Sequence, residues 1–153
     1  MTDINDTLPD VTVADSAGNA VNLAALKGPL VLYFYPKADT PGCTNEAKDF
    51  TALSADFAAI HCPVYGMSKD KPAKLAKFAA KYDLNVTLLS DEGSDATEQM
   101  GAWVEKSMDG KSYMGIDRST YLIGKDGKVA QVWRKVKVKD HAAEVLAAAK
   151  ALG

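Results

Sequence analysis

Leu30-Val31-Leu32-Tyr33-Phe34 is an unbroken apolar run set between Gly28-Pro29 and Pro36. Continuous rather than alternating polarity predicts a central strand buried on both faces. Val64-Tyr65-Gly66-Met67 predicts a second buried strand, and residues 86–89 a third. Residues 11–13 and 21–23 predict short strands around the turn Ser16-Ala17-Gly18-Asn19. Between these runs the spacing becomes helical. Cys43, Ala47, Phe50 and Phe57 fall at offsets 0, 4, 7 and 14 along one stripe. Pro72 opens a helix with Leu75, Phe78, Ala79 and Tyr82 at offsets 0, 3, 4 and 7, and Lys74, Lys77 and Lys81 opposite. Residues 94–100 predict a short helix. Residues 120–123 and 129–133 flank Gly124-Lys125-Asp126-Gly127-Lys128, and an Asp-Gly turn between apolar runs signals a hairpin. A last helix near 141–152 carries Ala142, Val145, Leu146 and Ala149 on one face. Strands alternating with helices, closed by a hairpin and a helix, predict an α/β sandwich. Its central β-sheet is mixed, parallel in the middle and flanked by helices.

A chain of 153 residues fits one domain with one core, and 47% apolar with 25% charged residues is ordinary soluble globular composition. A net charge of −2 argues against nucleic acid as a partner. No apolar run approaches the ~18–20 residues of a membrane span, so no membrane partner is expected. The first ten residues are polar and acidic, so the reading expects no secretory signal. Two cysteines, Cys43 and Cys62, are too few for a disulfide scaffold, and a reducing cytoplasm is the simplest setting.

The informative segment is Tyr35-Pro36-Lys37-Ala38-Asp39-Thr40-Pro41-Gly42-Cys43-Thr44-Asn45-Glu46, which leaves a buried strand and enters a helix. Thr is a good N-cap and Pro is favoured at the first helical position, which places Cys43 third in the helix. Unpaired amides and the helix dipole favour a thiolate there. Ionisation alone is a modest gain. Lowering a thiol's pKa from ~8.5 to ~6 raises its thiolate fraction at pH 7 about 30-fold, while intrinsic nucleophilicity falls roughly tenfold. An efficient reaction needs groups that stabilise the transition state. Thr40 lies beside Cys43 and offers a hydroxyl. Arg118, just before the apolar run Thr120-Tyr121-Leu122-Ile123, could aim its guanidinium at the thiolate and at an oxygen that gains charge as an O–O bond breaks.

Pro36-x-x-x-Thr40-x-x-Cys43, joined to Arg118-Ser119-Thr120, resembles the active site of the peroxiredoxins. The fuller string, with Tyr35, Lys37, Pro41-Gly42, Thr44 and Glu46, resembles their PrxQ branch, the bacterioferritin comigratory proteins. The likeness runs from Leu8-Pro9 to Trp133-Arg134-Lys135-Val136 and the final helix. It implies a single thioredoxin-like domain over residues 1–153 that reduces hydrogen peroxide and organic hydroperoxides. By the same resemblance Cys43 would be the nucleophile and become a sulfenic acid. Thr40 and Arg118 would bind the peroxide oxygens, and Pro36 would shield the thiolate. Glu46 matches the branch without an assigned chemical step. Two-cysteine members carry a resolving Cys at positions that correspond here to Lys48 or Ala79. Their absence implies a one-cysteine cycle with an external reductant: thioredoxin, glutaredoxin or a small thiol. The protein is expected to be a monomer or weak dimer that uses no cofactor.

Blander readings stand beside these. Cys43 could be a buried structural thiol, Thr40 only a cap, Arg118 a surface cation and Pro36 a strand end. Cys62, in Ile60-His61-Cys62-Pro63, is read as a packing residue rather than a resolving thiol. His61 and His141 are read as ordinary polar residues, and Arg134, Lys135, Lys137 and Lys139 as a solvated face. The Cys and His positions lack metal-ligand spacing, and no Cys-x-x-Cys or glycine-rich phosphate motif occurs. Two competing functions remain: a peroxide sensor that passes oxidation to a partner thiol, and a non-catalytic thioredoxin-like domain.

Overall fold

A computed structural model describes residues 2–152. The strands are β1 (Thr12–Asp15), β2 (Ala20–Asn22), β3 (Leu30–Phe34), β4 (Val64–Ser68), β5 (Thr87–Ser90), β6 (Trp103–Met108), β7 (Lys111–Ile116), β8 (Ser119–Ile123) and β9 (Val129–Trp133). The helices are α1 (Pro41–Ala52), α2 (Ser54–Ala59), α3 (Pro72–Tyr82), α4 (Ala96–Met100) and α5 (His141–Ala151). Seven strands form one sheet in the order β2-β1-β5-β4-β3-β8-β9. β4 pairs parallel with both β3 and β5, and the flanking pairs are antiparallel. This is the mixed sheet with a parallel middle that the apolar runs predict.

All five β3 side chains are buried because helices cover both faces of the sheet. Leu30, Leu32 and Phe34 join one core with Met67 and Tyr121. Val31 and Tyr33 join the other with Phe50, Phe57, Val145 and Cys43. Side chains of this size contribute about 1.5–3 kcal/mol each when fully buried. Tyr33 pairs with Gly66 in register, and a Cβ on Gly66 would lie 2.6 Å from Tyr33 Cζ. The glycine therefore lets the phenol ring lie across the neighbouring strand, where it stacks on Phe50 at a centroid distance of 4.8 Å.

Four details depart from the sequence reading. The helix from Pro41 breaks at Leu53 before α2, although Phe50 and Phe57 still bury on one side with ring centroids 6.0 Å apart. Leu23 starts a 3-10 turn rather than ending a strand, because Asn22 Oδ1 accepts the Ala25 N–H at 3.2 Å. Arg134 is not a solvated cation: it donates to the Tyr121 hydroxyl at 3.0 Å and to the Thr2 carbonyl at 2.8 Å. The β6–β7 hairpin, a separate two-stranded sheet, has no counterpart in the sequence reading. Its Asp109-Gly110 turn, with both residues at positive φ, was a legible signal. The flanking residues are too polar to read as strands, and Met108, Tyr113 and Met114 are exposed.

Candidate active site

At the end of β3 the Tyr35 N–H still donates to Met67 O at 3.1 Å, and then the chain leaves the sheet. Pro36 and Lys37 are exposed. Ala38 is buried and its N–H donates to Asp70 Oδ2 at 2.7 Å. Asp39 takes a left-handed turn at φ 62°, which an Asp tolerates better than most residues. Thr40 is extended and its carbonyl accepts the Thr44 N–H at 2.8 Å, the first bond of α1. Thr40 thus occupies the N-cap and Pro41 the first helical position. Its side chain does not cap the helix, however. The hydroxyl donates to Lys37 O at 2.8 Å, inside the loop. The hydroxyl proton is used there, and the oxygen keeps its accepting capacity.

Cys43 lies in the first turn of α1 and is 1% exposed. Arg118 reaches it from the connection between β7 and β8, 75 residues away in sequence. Its Nη2 lies 3.4 Å from Cys43 Sγ, and its Nη1 donates to Glu46 Oε1 at 2.8 Å. Cys43 and Glu46 are three apart on α1 and share a face, so one guanidinium spans both. Its planar fork suits this, because two donors point in fixed directions. Gly42 leaves room for it: a Cβ there would meet Nη2 at 3.1 Å. The Arg118 backbone is held as well, its carbonyl accepting the Val136 N–H at 2.9 Å.

Glu46, which the sequence reading left without a task, lies at the centre of this arrangement as the partner of Arg118. Its side chain is 1% exposed and its Oε2 has no partner among the described residues. Burial pushes its carboxyl up to about 7; the Arg118 charge opposes that rise and Asp49 adds to it. Its helical spacing from Cys43 was visible, but the partner was 72 residues away. The hydroxyls of Tyr33, Tyr35 and Thr44 are also buried without a partner among the described residues. Burial holds both phenols neutral well above the usual range.

The two Cys readings separate cleanly. Both thiols are free. Cys62 is 1% exposed, packs in the core with Phe57 and Val64, and burial pushes its thiol up to about 11. That environment supports the packing reading. His141, by contrast, is not an ordinary polar residue. It is buried, its Nε2 lies 2.7 Å from Thr120 Oγ1, and its ring meets Phe50 and Trp133 edge-on. His61 is exposed.

A buried thiol at a helix start, bridged by an arginine to a carboxylate, is a site for attack on a small electrophile that leaves with negative charge. Residues 4–132 match the family model described as the AhpC/TSA family. The peroxiredoxin Bcp of Bacillus subtilis is 45% identical over 145 residues, covering 94% of this chain and 92% of that protein. The chain belongs to the AhpC/TSA family, in the Bcp/PrxQ branch of the peroxiredoxins. The peroxiredoxin Bcp of Escherichia coli is also 45% identical, over 89% of this chain and 88% of its own. A structure of the Xanthomonas campestris bacterioferritin comigratory protein, described for its alkyl peroxide reduction activity, superposes with a TM-score of 0.89. It is 39% identical and covers 99% of this chain and 97% of its own. This peroxiredoxin is therefore a thiol-dependent peroxidase with a thioredoxin-like fold. Among its described residues no helix is long and apolar enough to cross a membrane.

Proposed function

We propose that this peroxiredoxin reduces hydrogen peroxide and organic hydroperoxides through Cys43. The observation that carries the reading is the Arg118 fork, with one arm 3.4 Å from Cys43 Sγ and the other on Glu46. The Cys43 thiolate attacks the terminal oxygen of R–O–O–H. An S–O bond forms, the O–O bond breaks, and the electron pair leaves on RO⁻, which takes up a proton to give water or an alcohol. Cys43 is left as a sulfenic acid. Arg118 stabilises the thiolate and then the charge that moves to the departing oxygen, the larger source of rate acceleration. The Thr40 oxygen accepts a hydrogen bond from the hydroperoxide O–H, whose hydrogen stays on the attacked oxygen, and the bond from Thr40 to Lys37 O orients it for this. Pro36, at the exit from β3, screens the mouth of the site.

Regeneration uses an external thiol, either thioredoxin, glutaredoxin or a small thiol. The first thiol displaces water from the sulfenic acid to form a mixed disulfide, and a second releases Cys43 as the thiol. Lys48 and Ala79 stand where a resolving Cys would be, and Cys62 is buried in the core. The same residues favour a second reading, a sensor whose sulfenic acid passes to a partner protein thiol. The whole chain acts as one peroxiredoxin domain in the cytoplasm, as a monomer or weak dimer.

Rapid mixing with hydrogen peroxide, followed by trapping of sulfenic acid, tests the reaction. Cys43 should oxidise orders of magnitude faster than free cysteine and Cys62 should stay reduced. A Cys43 no faster than free cysteine would sink the proposal. Rapid multiple turnover with thioredoxin alone would favour the enzyme over the sensor.

A further inference from the structure

The loop that carries Thr40 is fastened to α3 at two neighbouring residues. Asp70, just before α3, accepts the Ala38 N–H at 2.7 Å and the Ser68 hydroxyl at 2.8 Å on one carboxylate oxygen, and Lys74 pairs with the other at 3.3 Å. At the far end of α3, the Tyr82 hydroxyl donates to Asp39 Oδ1 and Lys81 Nζ to Asp39 Oδ2, at 2.5 and 2.9 Å. The Tyr82 ring is fixed in turn by Phe78, edge-on at 5.7 Å, and Lys48 of α1 stands 5.2 Å from its centre. Phe78 also packs beside Tyr35, the residue before the loop begins, at 6.2 Å. α3 therefore touches the segment before, at and beyond the turn that Asp39 makes.

We infer that Asp39, held by Tyr82, is a positioning residue for the peroxide step. It touches no reacting atom. It holds a left-handed turn one residue before Thr40, so its side-chain anchor sets where the Thr40 oxygen stands relative to Cys43 Sγ. Asp39 is ionised at neutral pH, and the Tyr82 and Lys81 bonds hold its carboxyl below the usual range. A charged acceptor makes the stronger hydrogen bond. The inference rests on the proposed attack by Cys43. It adds a claim of its own, that α3 governs the geometry of the oxygen-binding loop without altering the thiol.

Two rate constants measured on the same variants separate positioning from general damage. Cys43 is oxidised by hydrogen peroxide and, separately, alkylated by iodoacetamide, which does not need Thr40. Asp39→Asn and Tyr82→Phe should each slow oxidation about tenfold, since misplacement of well under 1 Å carries a cost of that order. Alkylation should stay within about twofold of wild type. The double variant should be no slower than the slower single one, because both changes cut the same connection. Wild-type oxidation rates in both variants would overturn the inference. So would parallel slowing of oxidation and alkylation, or effects that multiply in the double variant. A wild-type protein that fails to react with peroxide would instead overturn the proposed function.

Discussion

Arg118 binds Glu46 more closely than it approaches Cys43, at 2.8 Å against 3.4 Å. The carboxylate fixes the rotation of the guanidinium plane, and the second arm is thereby presented to the sulfur. Arg118→Lys should keep the charge and lose the fork. The expected result is a fall of about 10²-fold or more in the rate of Cys43 oxidation, with little change in folding stability, measured by stopped-flow mixing and denaturant titration.

Glu46 makes folding stability depend on pH. Its carboxyl rises from 4.5 to about 7 on folding, so between those values the folded protein holds a proton that the unfolded chain has released. Stability is therefore lost as pH rises through this window, by about 3 kcal/mol in all. Glu46→Gln should remove most of that loss. Chemical denaturation of both proteins at pH 5 and pH 8 checks it, and equal pH dependence in the two would refute the assignment.

His141 acts in the opposite direction. Burial depresses its ionisation below the ordinary 6.5, so the unfolded chain takes up a proton before the folded one does. Stability from this residue is complete above pH 6.5 and declines as pH falls below it. His141→Gln, which keeps a polar group near Thr120, should be less stable than wild type at pH 7.5 and should flatten the decline between pH 6.5 and pH 5.

Gly42→Ala separates helix propensity from catalysis. Alanine favours the helix by up to about 1 kcal/mol over glycine. Its Cβ would nevertheless crowd Arg118 Nη2 at 3.1 Å. Thermal unfolding should be unchanged or slightly raised while the rate of Cys43 oxidation falls several-fold. A variant as reactive as wild type would show that the guanidinium yields without loss.

Cys62→Ala should cost about 1–2 kcal/mol of stability through lost packing and leave the peroxide reaction unchanged. A fall in turnover with a dithiol reductant would reveal a resolving role.

Much of the fold was legible because β3 is fully buried and β4 and β5 are buried at all but one position each, so they read as largely apolar runs. The β6–β7 hairpin was hidden by its exposure, since Glu105, Lys106 and Ser107 give no apolar pattern. At the candidate site, Cys43 and Thr40 were legible as a local strand-to-helix signature. Arg118 could be named but not placed, because its contact with Cys43 spans 75 residues. Glu46 and His141 escaped for one physical reason. A buried polar side chain is explained by its partner, and both partners, Arg118 and Thr120, come from β8 or the connection leading into it.

Lys48 lies against Tyr82, and Cys62 is buried in the core just before β4. On the proposed one-cysteine cycle, an oxidised Cys43 finds no relief from within its own fold, and its lifetime is set by how often a thiol arrives from outside. In a cell the oxidised fraction of such a protein would follow the balance of peroxide supply and thiol supply, working as a gauge as well as a scavenger.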